Sequence, residues 1–489
     1  MNHRIKCLIA AGLFAAALPA TGVAQDSATT APPSVAPRAA RMDSACFGCP
    51  RKRPLMAVVM VTATNIFINR VDDWVLNEHD PPPDGYYARV TPASWRANIK
   101  SGWVWDTDAF QVNMFLHPYQ GGTYFRAGRS NGLDFWESVP LTFLGSAEWE
   151  FFGETTKPSL NDFYNTGFGG IVVGETFYRL IAIVRDNQAT GMNRFLRELA
   201  TFPFDPAGTV KRLFTGELWR VHANPGEHVP PPLALQLQGG IRQATDTGGT
   251  GKRSIAGALV AELAYGDPFD APYTRPFDVF VLRGLLSPGK DLIPVGEARV
   301  AGRLWAHELT HTAAPFRAIF TVKQKIEYTG NPAYKFGGQS LEAGLVTRFD
   351  LGSGWDLRAE GLAEGIMLGA VDAPGAGVPG TPRTYDFGPG AGYDFSATLR
   401  TGSFSVLSVR WHGSVIHSVS GSPANHYTQF PSVEAAVPLT RTLGLGAYAG
   451  YYSRRSSYVG RPGEVKTYPD FRAYVVWQTR PRSAAPEAP

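Results

Sequence analysis

The sequence predicts an all-β transmembrane barrel of about twelve antiparallel strands, preceded by an N-terminal helical domain. Three observations predict it. The chain begins with an export signal and then offers no run of about eighteen uninterrupted apolar residues, the length a membrane-spanning helix needs. From about residue 233 onward the hydrophobic period becomes two. Row after row carries charge on its polar face, which a lumen tolerates and a buried core does not.

The signal reads in order. Asn2 to Lys6 is a short basic region, Cys7 to Pro19 an apolar core, and Gly22-Val23-Ala24 supplies small residues before a cut ahead of Gln25. Residues 1–24 are thus a signal peptide. Cys7 lies at the start of the core, not after its end, which argues against a lipoprotein. The longest later apolar candidate, Leu55 to Ile68, is interrupted by Thr62, Thr64 and Asn65. An exported chain without spanning helices is either soluble or a barrel.

Residues 25–54 read as a flexible linker rich in Ala, Pro, Ser and Thr, ending in Cys46-Phe-Gly-Cys49. In an oxidising compartment that pair reads as a local disulfide. A redox pair needs a following βαβ pattern, zinc needs two more ligands, and Pro50 in place of His excludes covalent haem attachment. Residues 480–489 read as a disordered tail. The composition of the 489 residues, 18% charged and 44% hydrophobic, excludes a disordered chain. A net charge of +4 offers no broad basic surface for nucleic acid.

Residues 55–217 read as a helical, polar-aromatic domain. Ser146, Glu150 and Glu154 would share one helical face at i, i+4 and i+8. Gly170 and Gly174, four apart, would let two helix backbones approach closely. Glu175 and Arg179 have ion-pair spacing. Residues 218–479 read as the barrel. Phe316, Ala318, Phe320 and Val322 alternate with Arg317, Ile319, Thr321 and Lys323, and Leu407, Val409 and Trp411 alternate with Ser408, Arg410 and His412. The row from Phe471 to Trp477 resembles a closing strand. A β-sandwich would also alternate, but it would not charge the inner face of strand after strand.

The run Asn113-Met-Phe-Leu-His117-Pro118-Tyr-Gln-Gly121-Gly, with Trp136-Glu137-Ser138, Gly145-Ser146-Ala-Glu148-Trp149-Glu150, Pro158-Ser159-Leu-Asn-Asp162 and Gly169 to Glu175, resembles the domain of unknown function 3943 family. The likeness extends to Tyr334–Ser340 and Tyr385–Gly390. It implies a bacterial, envelope-associated protein and assigns no activity.

Three constellations could carry chemistry. His117, Glu148, Glu150, Glu154 and Asp162, with Ser146 and Ser159, include the residue types of a hydrolase. No Gly-x-Ser-x-Gly elbow surrounds those serines. The same carboxylates could instead pair with Arg299, Arg303, Lys323, Arg358 or Arg410 if the helical domain plugs the lumen. His307-Glu308-Leu-Thr-His311 matches the zinc protease pattern HExxH, but its surroundings alternate like a strand, which would set the two histidines roughly 13 Å apart. Third, Arg299, Arg303, His307, Lys323, Lys325, Arg358, Glu360, Glu364, Arg410 and His412 are expected to line the lumen.

The reading is an outer-membrane barrel of a Gram-negative bacterium, structural or transport-related, with the helical domain in its lumen or at its periplasmic mouth. The alternatives are an envelope hydrolase acting on lipid or cell wall through His117 and a secreted zinc protease. No cofactor is expected, zinc entering only with the protease reading. The expected partners are outer-membrane lipid and the barrel assembly machinery, with no nucleic acid and an unidentified small-molecule or lipid ligand.

Overall fold

The computed structural model describes residues 52–78, 87–245, 253–270, 273–288, 295–310, 315–372, 376–402 and 404–479. The expectations for the signal peptide, the Cys46–Cys49 pair, His311 and the C-terminal tail lie outside them.

Twelve strands close a barrel in simple sequence order: β1 Leu233–Thr245, β2 Arg253–Tyr265, β3 Phe280–Leu286, β4 Val295–Glu308, β5 Phe316–Gly330, β6 Lys335–Gly352, β7 Trp355–Asp372, β8 Tyr385–Thr401, β9 Phe404–His417, β10 Ala424–Pro438, β11 Leu443–Tyr458 and β12 Glu464–Gln478. Every pairing is antiparallel, and β12 pairs with both β11 and β1. Closure removes the sheet edges, so the backbone satisfies itself in hydrocarbon. The apolar rows face outward: Leu345, Phe395, Leu407, Trp411, Leu445 and Phe471 are exposed. One rim carries Pro232, Gly402, Thr479 and the short connections 353–354 and 439–442. We call it the terminal rim, and its opposite the distal rim.

The helices are α1 Pro54–Glu78, α2 Pro92–Ser101, α3 His117–Arg129, α4 Phe135–Glu148, α5 Leu160–Tyr164, α6 Gly170–Val184, α7 Gly191–Thr201 and α8 Pro206–Phe214. Local chemistry sets their starts. Thr91 and Asp134 form capping boxes with Ser94 and Glu137, and Ser159 caps α5 through the Asp162 amide. Three π-helical turns interrupt the bundle, Val112–Leu116, Trp149–Gly153 and Asn165–Gly169. The second displaces the spacing predicted for Ser146, Glu150 and Glu154. Glu154 falls past the helix end in extended backbone, so the three share no continuous face.

α3 and α6 run side by side at close range. A Cβ on Gly170 would lie 2.5 Å from the Gly121 carbonyl carbon, and one on Gly174 would lie 2.6 Å from Phe125 Cβ. The small residues work as their spacing predicts. Glu175 also pairs with Arg179 at 2.9 Å, and with Arg129 at 2.9 Å.

The bundle does not plug the lumen. It lies along the outer wall from rim to rim. Near the distal rim, Phe110 and Met114 pack on Tyr328, Leu368, Ala370, Tyr385 and Phe387. Farther along, Phe125, Ile171 and Val172 pack with Val300 and Phe280. At the terminal rim, Arg179 donates to the Pro276 carbonyl at 2.7 Å. The wall is built for this cover. Gln324 and Gln339 stand on the outward rows of β5 and β6, and both are buried. Gln324 donates to the Phe168 carbonyl at 3.1 Å and Gln339 to Asn165 Oδ1 at 2.8 Å. Bare amides there would face lipid unsatisfied, at a cost of several kcal/mol each, about what an unpaired polar group loses in hydrocarbon.

α1 likewise corrects an expectation. Thr62, Thr64 and Asn65 do not break the apolar run from Leu55. Thr62 donates to Glu148 at 2.9 Å, Thr64 to the Met60 carbonyl at 2.8 Å, and Asn65 to the Gly145 carbonyl at 3.0 Å. Two helical stretches, Pro54–Val75 and Leu160–Val184, are long and apolar enough to cross a membrane.

Candidate functional site

Two groups of polar side chains are candidates, one inside the barrel and one inside the bundle. In the barrel, the expected lumenal row is in place except for His307. A bulge in β4 between Arg303 and Trp305 shifts the alternation. His307 therefore faces outward, stacked beside Trp305 at 6.1 Å, while Glu308 points inward and pairs with Arg317 at 2.8 Å. His307 and Glu308, the described residues of the zinc pattern, thus stand on opposite sides of the wall.

The lumenal charges pair with one another. Asp394 on β8 receives Arg410 at 2.6 Å and Arg299 of β4 at 3.1 Å. Arg358 reaches Asp267 of the β2–β3 connection at 2.7 Å, and Lys323 pairs with Glu360 at 2.8 Å. Lys325, fully buried, lies 2.8 Å from Glu327, 3.0 Å from Glu342 and 2.9 Å from Glu364. None of the bundle carboxylates singled out in the sequence reaches these cations, so the expected docking pairs do not form. Glu327, Glu364 and His412 bring their ligand atoms within 4.8 Å of one another, a group able to hold a metal. The Lys325 ammonium already supplies positive charge to both carboxylates.

A cavity of about 1520 Å3 occupies the half of the lumen toward the terminal rim. Its lining runs from Pro232, Gly402 and Thr479 at the rim to Glu297, Glu342 and Arg410 inside. Phe269 enters it from the β2–β3 connection and packs on Ile319 and Val346. Toward the distal rim the lumen is filled. The β5–β6 turn folds inward, burying Ala333 and Tyr334. Arg454 donates from β11, across the barrel, to the Ala333 carbonyl at 3.2 Å. Tyr334 meets Tyr452 at 6.2 Å, and Tyr452 stacks on Phe430 at 4.1 Å.

In the bundle, His117 opens α3 and its Nε2 lies 3.2 Å from Asp162 Oδ1. Asn161 is the hub of the surrounding network. Its amide donates to Asp106 at 2.7 Å, Asp162 at 2.9 Å and Asn113 at 3.0 Å. Asn113 donates to the Tyr385 hydroxyl at 2.7 Å, tying the network to β8. Glu150 accepts the Ser159 amide at 2.6 Å. Glu154 borders the network through its carbonyl, which accepts from Asn98 at 2.9 Å. Glu148 stands apart, facing α1. His117, Glu150 and Asp162 thus lie in one region. Ser159 acts as a helix cap, its hydroxyl accepting the Asp162 amide at 3.3 Å. Asn161 and Asn165 were not singled out as functional residues; their i, i+4 spacing was the available signal. Each of the three π turns contributes one network residue: Asn113, Glu150 and Asn165.

Fold and sites define a class: a transmembrane β-barrel that carries a helical bundle on its outer wall. The family resemblance holds where its most specific segments lie. Residues 102–207 match the family described as Domain of unknown function (DUF3943). The match covers most of the bundle and its polar network; the likeness expected at Tyr334–Ser340 and Tyr385–Gly390 falls outside it. No curated protein matches the chain. Among solved structures, the NanC porin is 10% identical with a TM-score of 0.26, covering 50% of this chain and 98% of its own. An outer-membrane channel from Pseudomonas putida F1 is 14% identical with a TM-score of 0.25, covering 52% and 100%. The KdgM porin in complex with disordered oligogalacturonate is 8% identical with a TM-score of 0.22, covering 50% and 98%. These likenesses concern the barrel and say nothing of this chain's cargo or activity.

Proposed function

We propose that the protein is a gated outer-membrane conduit, seen in its closed state. The carrying observation is the inward β5–β6 turn, held by Arg454 from the opposite wall. A vestibule of about 1520 Å3 behind an aromatic seal is what a gated path needs, and a purely structural barrel has no need of it. Short turns and both barrel termini share the terminal rim, which we assign to the periplasm. Outer-membrane lipid and the barrel assembly machinery are the partners this location implies. The vestibule walls carry both signs of charge, largely paired, so size and pairing, not net charge, would set what enters.

Planar-bilayer conductance tests this reading. The native protein is expected to show little steady current, and Tyr334→Ala with Tyr452→Ala to show sustained opening. If the double variant inserts and stays as silent as the native protein, the conduit reading fails and a structural barrel remains.

A second reading rests on the π turns that converge on His117 and Asp162, since such turns often mark functional sites. It makes the bundle a hydrolase acting on envelope lipid or cell wall. His117→Ala would then change the lipid or cell-wall composition of the envelope without lowering the yield of folded barrel. Equal loss of yield would mark the pair as structural.

A further inference from the structure

We infer that the helical bundle is itself embedded in the bilayer, beside the barrel, with lipid acyl chains covering the outer face of α1. The first argument is continuity. The bundle occupies wall residues that would otherwise face lipid, including Val300, Gln324 and Gln339, so its own outer surface extends the lipid-facing surface of the barrel. The second is the chemistry of α1. No charged residue occurs from Pro54 to Asn69. Sixteen residues rise about 24 Å, close to the ~25 Å apolar band of outer-membrane barrels. Leu55, Val59, Ile66 and Phe67 project outward with 76%, 52%, 59% and 68% of their surface exposed. The polar groups of the same run turn to partners within the protein, Asn65 to Gly145 and Asn69 to the Ala88 and Gly153 carbonyls. Satisfaction of buried polar groups such as Asn65 and Asn69 within the protein, beside an apolar outer face, is the pattern hydrocarbon selects.

The third argument is where α7 lies. It follows α6 at the terminal rim, with Arg194 and Glu198 buried and Phe195, Leu196 and Leu199 exposed. That one-sided helix suits the headgroup boundary of the leaflet at that rim. The bundle therefore has a transmembrane helix facing the acyl chains and an interfacial helix at its foot. The inference is independent of the conduit reading, because it concerns the outside of the wall and not the lumen.

Brominated-lipid quenching tests it. Full-length protein with Cys7, Cys46 and Cys49 replaced by Ser carries a single bimane-labelled cysteine at Val59→Cys or Phe67→Cys. Leu445→Cys reports the lipid-facing wall and Ser408→Cys the lumen. The proteins are reconstituted in phosphatidylcholine vesicles whose acyl chains are brominated. Both α1 sites are expected to lose fluorescence as strongly as the Leu445 site. Quenching no greater than at the Ser408 site, at both positions, would overturn the inference. So would protection of both sites that disappears on dilution of protein into lipid without a gain in quenching, the mark of a protein partner. With two labelled sites, failure of one variant to fold still leaves a decisive reading.

Discussion

Lys325 is a centre of charge balance inside the barrel. Three carboxylates converge on one ammonium, all buried, so removing the cation leaves them uncompensated. Breaking a buried ion pair from one side costs about 3–5 kcal/mol. Lys325→Met is therefore expected to reduce the fraction migrating as folded barrel on an unboiled denaturing gel. Adding Glu364→Gln should restore part of it, because one charge fewer is stranded. Lys325 and Glu364 were legible in the sequence as lumenal, but the places of Glu327 and Glu342 and the mutual pairing were not. Period two states which face a residue takes, whereas pairing depends on strands that meet only in the closed barrel. His307 shows the opposite limit: one bulge, silent in the residue pattern, moved it from the inner to the outer face.

At the scale of elements, the α3–α6 contact leaves no room for an added side chain. A side chain at Gly170 has nowhere to go, since its Cβ would already meet Gly121 backbone. Gly170→Val is expected to cost about 3 kcal/mol or more, the upper range for overpacking and above. The expected signature is proteolytic clipping within residues 102–207 while the barrel remains heat-modifiable. Clipping unchanged from the native protein would mean the helices tolerate separation. The two-glycine spacing announced this contact from the sequence. The polar network around Asn161 was less legible. Asn and Ser read as turn or cap residues in isolation, and only their convergence through three π turns makes them a centre.

For the whole molecule, the chain itself packs into both ends of the lumen. The β5–β6 turn, Tyr452 and Phe430 pack together at one end, and the β2–β3 connection narrows the other. That connection also straddles the wall: Phe269 packs in the lumen, while Phe277, at φ 60°, stacks on Phe135 of the bundle at 5.7 Å. A bulky residue in the left-handed region is strained, so surrounding contacts must hold it there. If the conduit reading holds, Tyr334, Tyr452 and Phe430 share the distal seal, so Tyr334→Ala alone is expected to remain closed in the conductance measurement, and only the double change to open. By itself the sequence determined the barrel, its approximate strand number, its lumenal charge rows and the glycine contact, because each follows from a short-range period or spacing. The tertiary structure decided that the bundle lies outside the wall, that its carboxylates stay within the bundle, and that a turn of the barrel itself folds into the lumen. Those outcomes depend on which apolar face meets which. An amphipathic helix carries no record of whether its partner is a lumen, an outer wall or lipid until the wall presents Gln324 and Gln339 for it to satisfy.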